Sequence, residues 1–235
     1  NMGCPTPKIV KNGEGAALMR DIPRAAAIVA AMVKAAGPVP VTVKMRKGWD
    51  EHSANVVEVA RAVVDAGAAA VAVHGRTRNQ FYSGQADWDC IRQVKEAVPV
   101  AVIGNGDIKS AADAAAMLER TGCDAVMVGR ASIGNPWLLR AIRAQMTGRP
   151  PEPEPDVKTR IAMALRHQQL LIELKGETTA VKQMRKHLVY YLRGLRGAAR
   201  LRQKLYTLTT GAEVVSCLHN YLQEIEAGKQ NYDGV

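Results

Sequence analysis

Between residues 38 and 146, short apolar runs alternate with segments of helical periodicity. Four runs stand out: 39–45 (VPVTVKM), 68–73 (AAAVAV), 98–103 (VPVAVI) and 124–128 (DAVMV). They are continuously apolar rather than alternating. That pattern marks strands covered on both faces, hence a parallel sheet with helices outside it. Helical segments follow the strands. At 54–66 the residues Val56, Val59, Ala60, Val63 and Val64 share a stripe, and further segments lie at 88–97, 111–120 and 136–146. Pro136 suits a first helical turn. Lys44, His74, Asn105 and Gly129 end the four strands, spaced 30, 31 and 24 residues apart. Each interval is a βα-unit length. In barrels of such units, and in open α/β sheets, the C-terminal ends of the strands carry the chemistry.

The pattern breaks at 147–156 (TGRPPEPEPD), whose four prolines make a stiff, solvated linker and a domain boundary. Beyond it the period is helical throughout. Asp156 caps a helix that buries Val157, Ile161, Ala164, Leu165, Leu171 and Ile172. A second, from about residue 179, buries Val181, Met184, Leu188, Tyr191 and Leu195, with Gly194 and Gly197 marking its end. A third covers about 198–208. A fourth, after Gly211, carries Val215, Leu218, Leu222 and Ile225. Four amphipathic helices with short connections predict a small bundle.

Composition narrows the class. The chain has 235 residues, 47% hydrophobic and 23% charged, enough for one or two globular domains and unlike a disordered chain. Alanine is abundant, at 36 residues, and aromatics are only 4%; small side chains suit close helix–strand packing. No apolar run approaches the ~20 residues of a membrane span, and no signal peptide is visible, so the expected location is cytoplasmic. The four cysteines lack CxxC spacing, so neither a metal site nor a disulfide framework is expected. Cys90, Cys123 and Cys217 read as core fillers. The formal charge of +10 points to a polyanionic partner.

That charge is concentrated. No acidic residue lies between Glu177 and Glu213, whereas Lys182, Arg185, Lys186, Arg193, Arg196, Arg200, Arg202 and Lys204 do. The first five share one helical face opposite the apolar stripe. A solvated face normally mixes signs; this one suits nucleic-acid phosphates.

The strand ends offer candidate chemistry. Gly104-Asn105-Gly106-Asp107 and Gly129-Arg130-Ala131-Ser132 are two successive glycine turns of the kind that admit a phosphate. Lys44 ends a buried strand, where a lysine needs an anion, a ligand or an aspartate partner; it could stabilise an electron-rich cofactor ring or form a Schiff base. His74 sits at the matching position of the next strand and suits a cofactor contact. Arg76 suits a cofactor or RNA phosphate. Cys4, in a Gly3-Cys4-Pro5 loop, is mostly protonated at neutral pH and can act as a general acid.

These residues together resemble the tRNA-dihydrouridine synthase family. Asn1-Met2-Gly3-Cys4-Pro5, with Lys8 and the stretch from Gly13 to Met19, is similar to its catalytic loop. Val43-Lys44-Met45-Arg46, His74-Gly75-Arg76-Thr77-Arg78, Gly104-Asn105-Gly106-Asp107-Ile108 and Val128-Gly129-Arg130-Ala131 follow in the family's order. Residues 80–88 (QFYSGQADW) and Gly48-Trp49-Asp50 resemble the bacterial B-type subclass, and residues 182–194 its C-terminal helical domain.

The resemblance implies an α/β fold, the C-terminal half of a TIM (β/α)8 barrel followed by a small all-α helical-bundle domain. Residues 1–146 would be a partial FMN-binding barrel, the catalytic loop plus four βα units. Residues 147–156 would be the linker, 157–227 a helical tRNA-binding domain and 228–235 a tail. The chain starts at the catalytic loop, so the earlier strands of the family's barrel are expected to be missing.

The implied reaction is flavin-dependent reduction of a tRNA uridine to 5,6-dihydrouridine, with NADPH as reductant and FMN as cofactor. Hydride would go to C6 and a proton from Cys4 to C5. Lys44, His74, Asn105, Gly106, Asp107, Gly129 and Arg130 would bind FMN. Arg76, Arg78, Lys182, Arg185, Lys186, Arg193 and Arg196 would bind RNA. The partner would be tRNA, with no membrane and no metal. Three alternatives are another FMN barrel oxidoreductase, a non-catalytic RNA-binding fragment and a Schiff-base lysine enzyme.

Overall fold

A computed structural model describes residues 1–150 and 152–228. Pro151 of the expected linker, and all of the expected tail except Gly228, lie outside the described residues. Packing divides the chain into two compact units. One comprises Asn1–Ala131 and Ala141–Pro150, and the other Ser132–Arg140 and the described residues from Glu152 onward.

The first unit is built on four parallel strands: β1 (Thr42–Arg46), β2 (Ala70–His74), β3 (Ala101–Asn105) and β4 (Ala125–Met127). Their spatial order is β1-β2-β3-β4, the order of the chain. Helices α3 (Val56–Asp65), α4 (Asp89–Ala97) and α5 (Ala111–Thr121) make the crossovers. A doubly wound sheet reverses its strand order at a switch point; a TIM barrel does not. The fold is therefore α/β, with consecutive βα units in barrel order.

Register sorts the strand residues by face. Val43, Val71 and Val102 form one row, and Met45, Val73 and Gly104 the next. This is the helix side. A Cβ on Gly104 would strike Met117 of α5 and the Cys123 thiol, so glycine lets α5 lie close. All five side chains in these rows are buried. The opposite face carries Lys44, Ala72, Ile103 and Ala125 in one row, and Arg46, His74, Asn105 and Met127 in the row nearest the strand ends.

Two short elements, α1 (Pro7–Val10) and the 3₁₀ segment Gly15–Arg20, follow the Cys4 loop. They lead into α2 (Ile22–Ala36), an alanine-rich helix. Alanine favours helix intrinsically. Asp21 caps the helix by accepting from the Arg24 N–H at 3.0 Å, and Gly37 ends it. Helix α6 (Trp137–Met146) begins among residues of the second unit and ends among those of the first.

The second unit contains α7 (Val157–Lys175), α8 (Glu177–Tyr191), α9 (Ala198–Thr207) and α10 (Gly211–Glu226). Gly176 alone separates α7 from α8. It stands at φ 76°, a left-handed conformation that suits glycine. The core gathers Ile161, Ala164, Val181, Met184, Leu188, Leu201, Leu205, Val214 and Leu218 from all four helices. On α10 it is Val214 that is buried, rather than the expected Val215, with Cys217, Leu218 and Tyr221. Gln168, 3% exposed, is held by donating to the Gly211 carbonyl at 3.1 Å.

Candidate active site

The row Arg46, His74, Asn105 brings three polar side chains from three strands to one face and one end of the sheet. Sequence spacing singles out two of them. Arg46 is the one it misses, because its meaning depends on register with His74. Its side chain is 2% exposed. Nε donates to the Gly3 carbonyl at 2.9 Å, and Nη1 to the carbonyls of Thr77 and Phe81 at 2.8 and 2.9 Å. No carboxylate meets its charge among the described residues.

The Cys4 loop is tied to the same end. Met2 bridges in parallel to Met45 of β1, and its N–H donates to the Lys44 carbonyl at 2.7 Å. Residues 1–3 thus run beside β1 and deliver Cys4 at the C-terminal end of the strands. Gly15, at φ 59°, passes close over Cys4; a Cβ there would lie 2.7 Å from the Cys4 carbonyl oxygen. The thiol lies 3.4 Å from the Thr6 hydroxyl. Thr6, through hydroxyl and backbone, draws the Cys4 pKa below the ordinary thiol value, against a smaller desolvation effect, and Arg46 pulls the same way.

Lys44 is half-buried, and its ammonium has no hydrogen-bond or ion-pair partner among the described residues. The aspartate partner allowed for it in the sequence is absent there. Burial, then Arg46, push its pKa below the usual lysine value. His74 is driven down to about 3 by burial and by the charges of Arg46, Lys44, Arg76 and Arg130. It is therefore a neutral imidazole. Arg76 Nη1 lies 3.5 Å from its Nε2; arginine only donates, so Nε2 accepts and Nδ1 carries the proton.

Arg76 is turned inward. The sequence suggests a phosphate contact, but the side chain is 2% exposed and its donors are committed. Nη2 contacts both Asp107 oxygens at 2.8 and 2.7 Å and the Gly84 carbonyl at 2.7 Å, and Nε donates to Ser83 O at 3.0 Å. It clamps the 77–88 loop to the β3 end. Arg78 is partly buried, its guanidinium 4.7 Å from the Trp49 ring centre and 5.5 Å from that of Phe81, and it donates to the Asn79 side chain at 3.1 Å.

Asp107 takes the left-handed φ of 56°, next to Gly106 at φ 125°. A Cβ on Gly106 would stand 2.6 Å from the Ala86 methyl. Burial pushes the Asp107 carboxyl up, but the Ala86 N–H, Arg76 and Arg130 together hold it below the usual carboxylate range. Asn105 donates to the Met127 carbonyl at 2.7 Å, joining β3 to β4. Arg130, 53% exposed, pairs with Asp107 at 3.5 Å and lies over the Tyr82 ring at 4.5 Å. Gly129 stands where a Cβ would meet open space.

The charge balance is lopsided. Lys44, Arg46, Arg76 and Arg130 surround a neutral His74, and Asp107 is the carboxylate that opposes them. Such a balance favours an anion near Lys44 and Arg130, since donors of Arg46, Arg76 and Asn105 are engaged within the protein. Among the described residues, no three or more His, Cys, Asp or Glu gather as a metal site, and no helix is long and apolar enough to cross a membrane.

In the helical unit the expected basic face divides. Lys182 and Lys186 are exposed on α8. Arg185 is partly buried and donates to the Leu208 carbonyl at 2.9 Å. Arg193 and Arg196 lie beyond the helix, which ends at Tyr191. Gly194 and Gly197, at φ 74° and 70°, turn the chain there. Both arginines are exposed, but not in helical register with Lys182. Arg160 of α7 caps the end of α8, donating to the Tyr191 and Arg193 carbonyls at 2.5 and 2.7 Å.

A family model described as dihydrouridine synthase matches residues 1–227. A probable tRNA-dihydrouridine synthase of Rickettsia bellii is 45% identical over 202 residues, covering 86% of this chain and 62% of that protein. One named probable tRNA-dihydrouridine synthase 1, of Synechocystis, is 45% identical over 213 residues, covering 91% and 59%. One of Mycobacterium leprae is 42% identical over 225 residues, covering 94% and 58%. The chain thus spans about three-fifths of the length of these relatives. Solved structures resemble it loosely: the Amycolatopsis orientalis BexX/CysO complex has a TM-score of 0.35 at 21% identity, covering 57% of this chain and 55% of that one.

Proposed function

Since the chain belongs to the dihydrouridine synthase family, we propose that the protein reduces a uridine of tRNA to 5,6-dihydrouridine at the strand-end site, using FMN and NADPH. The observation that carries this reading is the uncompensated positive charge of Lys44 and Arg46 beside a neutral His74.

FMN, when bound and reduced by NADPH, supplies the hydride for C6 of the uracil ring. Lys44 and His74 contact the flavin ring or its chain. Asn105, Gly106, Asp107, Gly129 and Arg130 would hold its phosphate end, beside the open space at Gly129. Cys4 holds the proton for C5, and Arg46 positions its loop through the Gly3 carbonyl. The uridine must leave its stack to reach these groups.

Lys182, Lys186, Arg193 and Arg196 hold the tRNA by its phosphates, which orient the RNA without specifying its sequence. Residues 147–156 serve as linker between the catalytic and RNA-binding parts. The protein works where tRNA is, in the cytoplasm.

Titrating the protein with FMN and with riboflavin, followed by flavin fluorescence, tests the reading. FMN is expected to bind more tightly than riboflavin, and Lys44→Ala to weaken both. Equal, weak binding of the two flavins contradicts the phosphate assignment. Binding of tRNA without any flavin binding would favour the RNA-binding alternative.

A further inference from the structure

Residues 4–7 read Cys-Pro-Thr-Pro. Pro5 and Pro7 have no N–H and fix their own φ, and a proline holds the residue before it out of the helical region. Thr6 stands accordingly at φ −61° and ψ 130°. Its carbonyl accepts from the N–H groups of Ile9 and Val10 at 2.9 and 3.1 Å and so starts α1. A threonine at that position usually turns its hydroxyl onto the first helical N–H groups. Here the hydroxyl makes no such bond. It faces Cys4 instead and accepts from the thiol at 3.4 Å. The Thr6 N–H, the one backbone donor of residues 5–7, is directed at the same sulfur.

The main chain around Cys4 is held from other elements. The Cys4 carbonyl accepts from the Ala16 N–H at 3.0 Å, and the Gly3 carbonyl from Arg46. What remains free is the side-chain torsion, and Thr6 is the residue that touches the sulfur. Charged groups on the neighbouring elements are Lys8 on α1, Glu14 before the 3₁₀ segment, and Lys44 and Arg46 on β1. Of these, Arg46 acts on the thiol, by charge alone, since its Nε and Nη1 are engaged with carbonyls. A hydroxyl can both accept and donate. When the thiol protonates C5, the S–H bond breaks, a C–H bond forms and the electron pair stays on sulfur. We propose that Thr6 is a positioning residue for this proton transfer, aiming the thiol as an acceptor beforehand and holding the thiolate as a donor afterwards. This rests on the reading of Cys4 as the proton donor of the proposed reaction.

Thr6 is exposed, so its replacement spares the core. Thr6→Val keeps the branched shape without the hydroxyl, and Thr6→Ser keeps the hydroxyl. Two readouts are followed across pH in the intact protein. One is alkylation of Cys4 by iodoacetamide, located by peptide mass spectrometry; the other three cysteines are buried. The second is dihydrouridine formation in a tRNA transcript. In Thr6→Val, alkylation at neutral pH is expected to slow severalfold, because less of the thiol is ionised. Turnover is expected to fall severalfold, and the alkaline limb of the rate profile to move to higher pH with the alkylation midpoint. Thr6→Ser is expected to restore all three. An unmoved midpoint in Thr6→Val, or a loss that Thr6→Ser does not restore, overturns the role of Thr6 and leaves the reductase reading standing. A midpoint that moves while the rate profile stays fixed overturns Cys4 as the proton donor, and the role of Thr6 with it. No dihydrouridine from the unaltered protein overturns the proposed function and this proposal together.

Discussion

Arg46 Nε donates to the carbonyl of Gly3 at 2.9 Å, one residue before Cys4. The same guanidinium grips Thr77 and Phe81 across the β2 end. One buried side chain thus fixes the Cys4 loop against the loop that follows His74. Arg46→Ala leaves three carbonyls without their donor and frees Cys4 to move. A displacement of about 1 Å at a reacting group costs on the order of 10²-fold in rate. Arg46→Lys supplies charge but cannot span the three acceptors, so it is expected to restore stability more than turnover. Steady-state rates compared with urea midpoints separate the two.

Cys4→Ala is expected to reduce dihydrouridine formation by about 10²–10⁴-fold, the range of a positioned general acid, while flavin reduction by NADPH proceeds. The acid must be protonated. Since Thr6 and Arg46 draw the thiol below its ordinary pKa, the rate falls with rising pH, starting below the range of a free thiol. His74, at about 3, contributes no inflection near neutrality. A pH–rate profile with a histidine-like limb that disappears in His74→Gln would contradict this.

Arg76→Leu removes the clamp on Asp107 from a side chain that is 2% exposed. Stranding one partner of a buried pair costs about 3–5 kcal/mol; Asp107 is partly exposed, which puts the expected loss near the lower end. Denaturant unfolding measures it. Unchanged stability would return Arg76 to the role of a ligand-binding cation.

His167 and His187 pack with ring centroids 4.7 Å apart, and His167 Nδ1 meets the Tyr191 hydroxyl at 3.3 Å. Burial lowers the pKa of both, with His167 and Lys186 adding to the effect on His187. Their neutral forms are favoured in the folded state. Their contribution to stability is present above about pH 6.5, the unfolded histidine value. It is lost as pH falls below that value toward their folded pKa values. The helical unit is expected to lose stability as pH falls below about 6.5, and His167→Gln to reduce that loss. Circular dichroism melts across this window check it.

Arg185→Ala and Lys186→Ala separate two roles that look alike in the sequence. Lys186 is exposed, so its loss is expected to weaken tRNA binding and flatten its salt dependence without altering the melting temperature. Arg185 holds the Leu208 carbonyl, so its loss lowers stability first. Melting curves alongside salt-dependent binding distinguish them.

The βα pattern was legible because strands buried on both faces leave continuous apolar runs, and the polar residue ending each run marks the site. Lys44, His74 and Asn105 could be found that way. Arg46 could not, since only the pairing of β1 with β2 sets it beside His74. The pairing of Arg76 with Asp107, 31 residues away, leaves no local mark in the sequence. Helix α2 lies outside the expected elements although alanine propensity, with Asp21 before it and Gly37 after it, favours it. The basic face divides because α8 ends at Tyr191 and Gly194 and Gly197 turn the chain beyond it, so residues 182–196 do not share one helical wheel.

The most direct measurement is dihydrouridine itself. Removing the gene that carries this chain, then mapping tRNA nucleosides by mass spectrometry, is expected to abolish the modification at one or more uridine positions. The intact protein should restore it and its Cys4→Ala variant should not. Dihydrouridine unchanged at every position, or restored equally by the Cys4→Ala variant, would contradict the account.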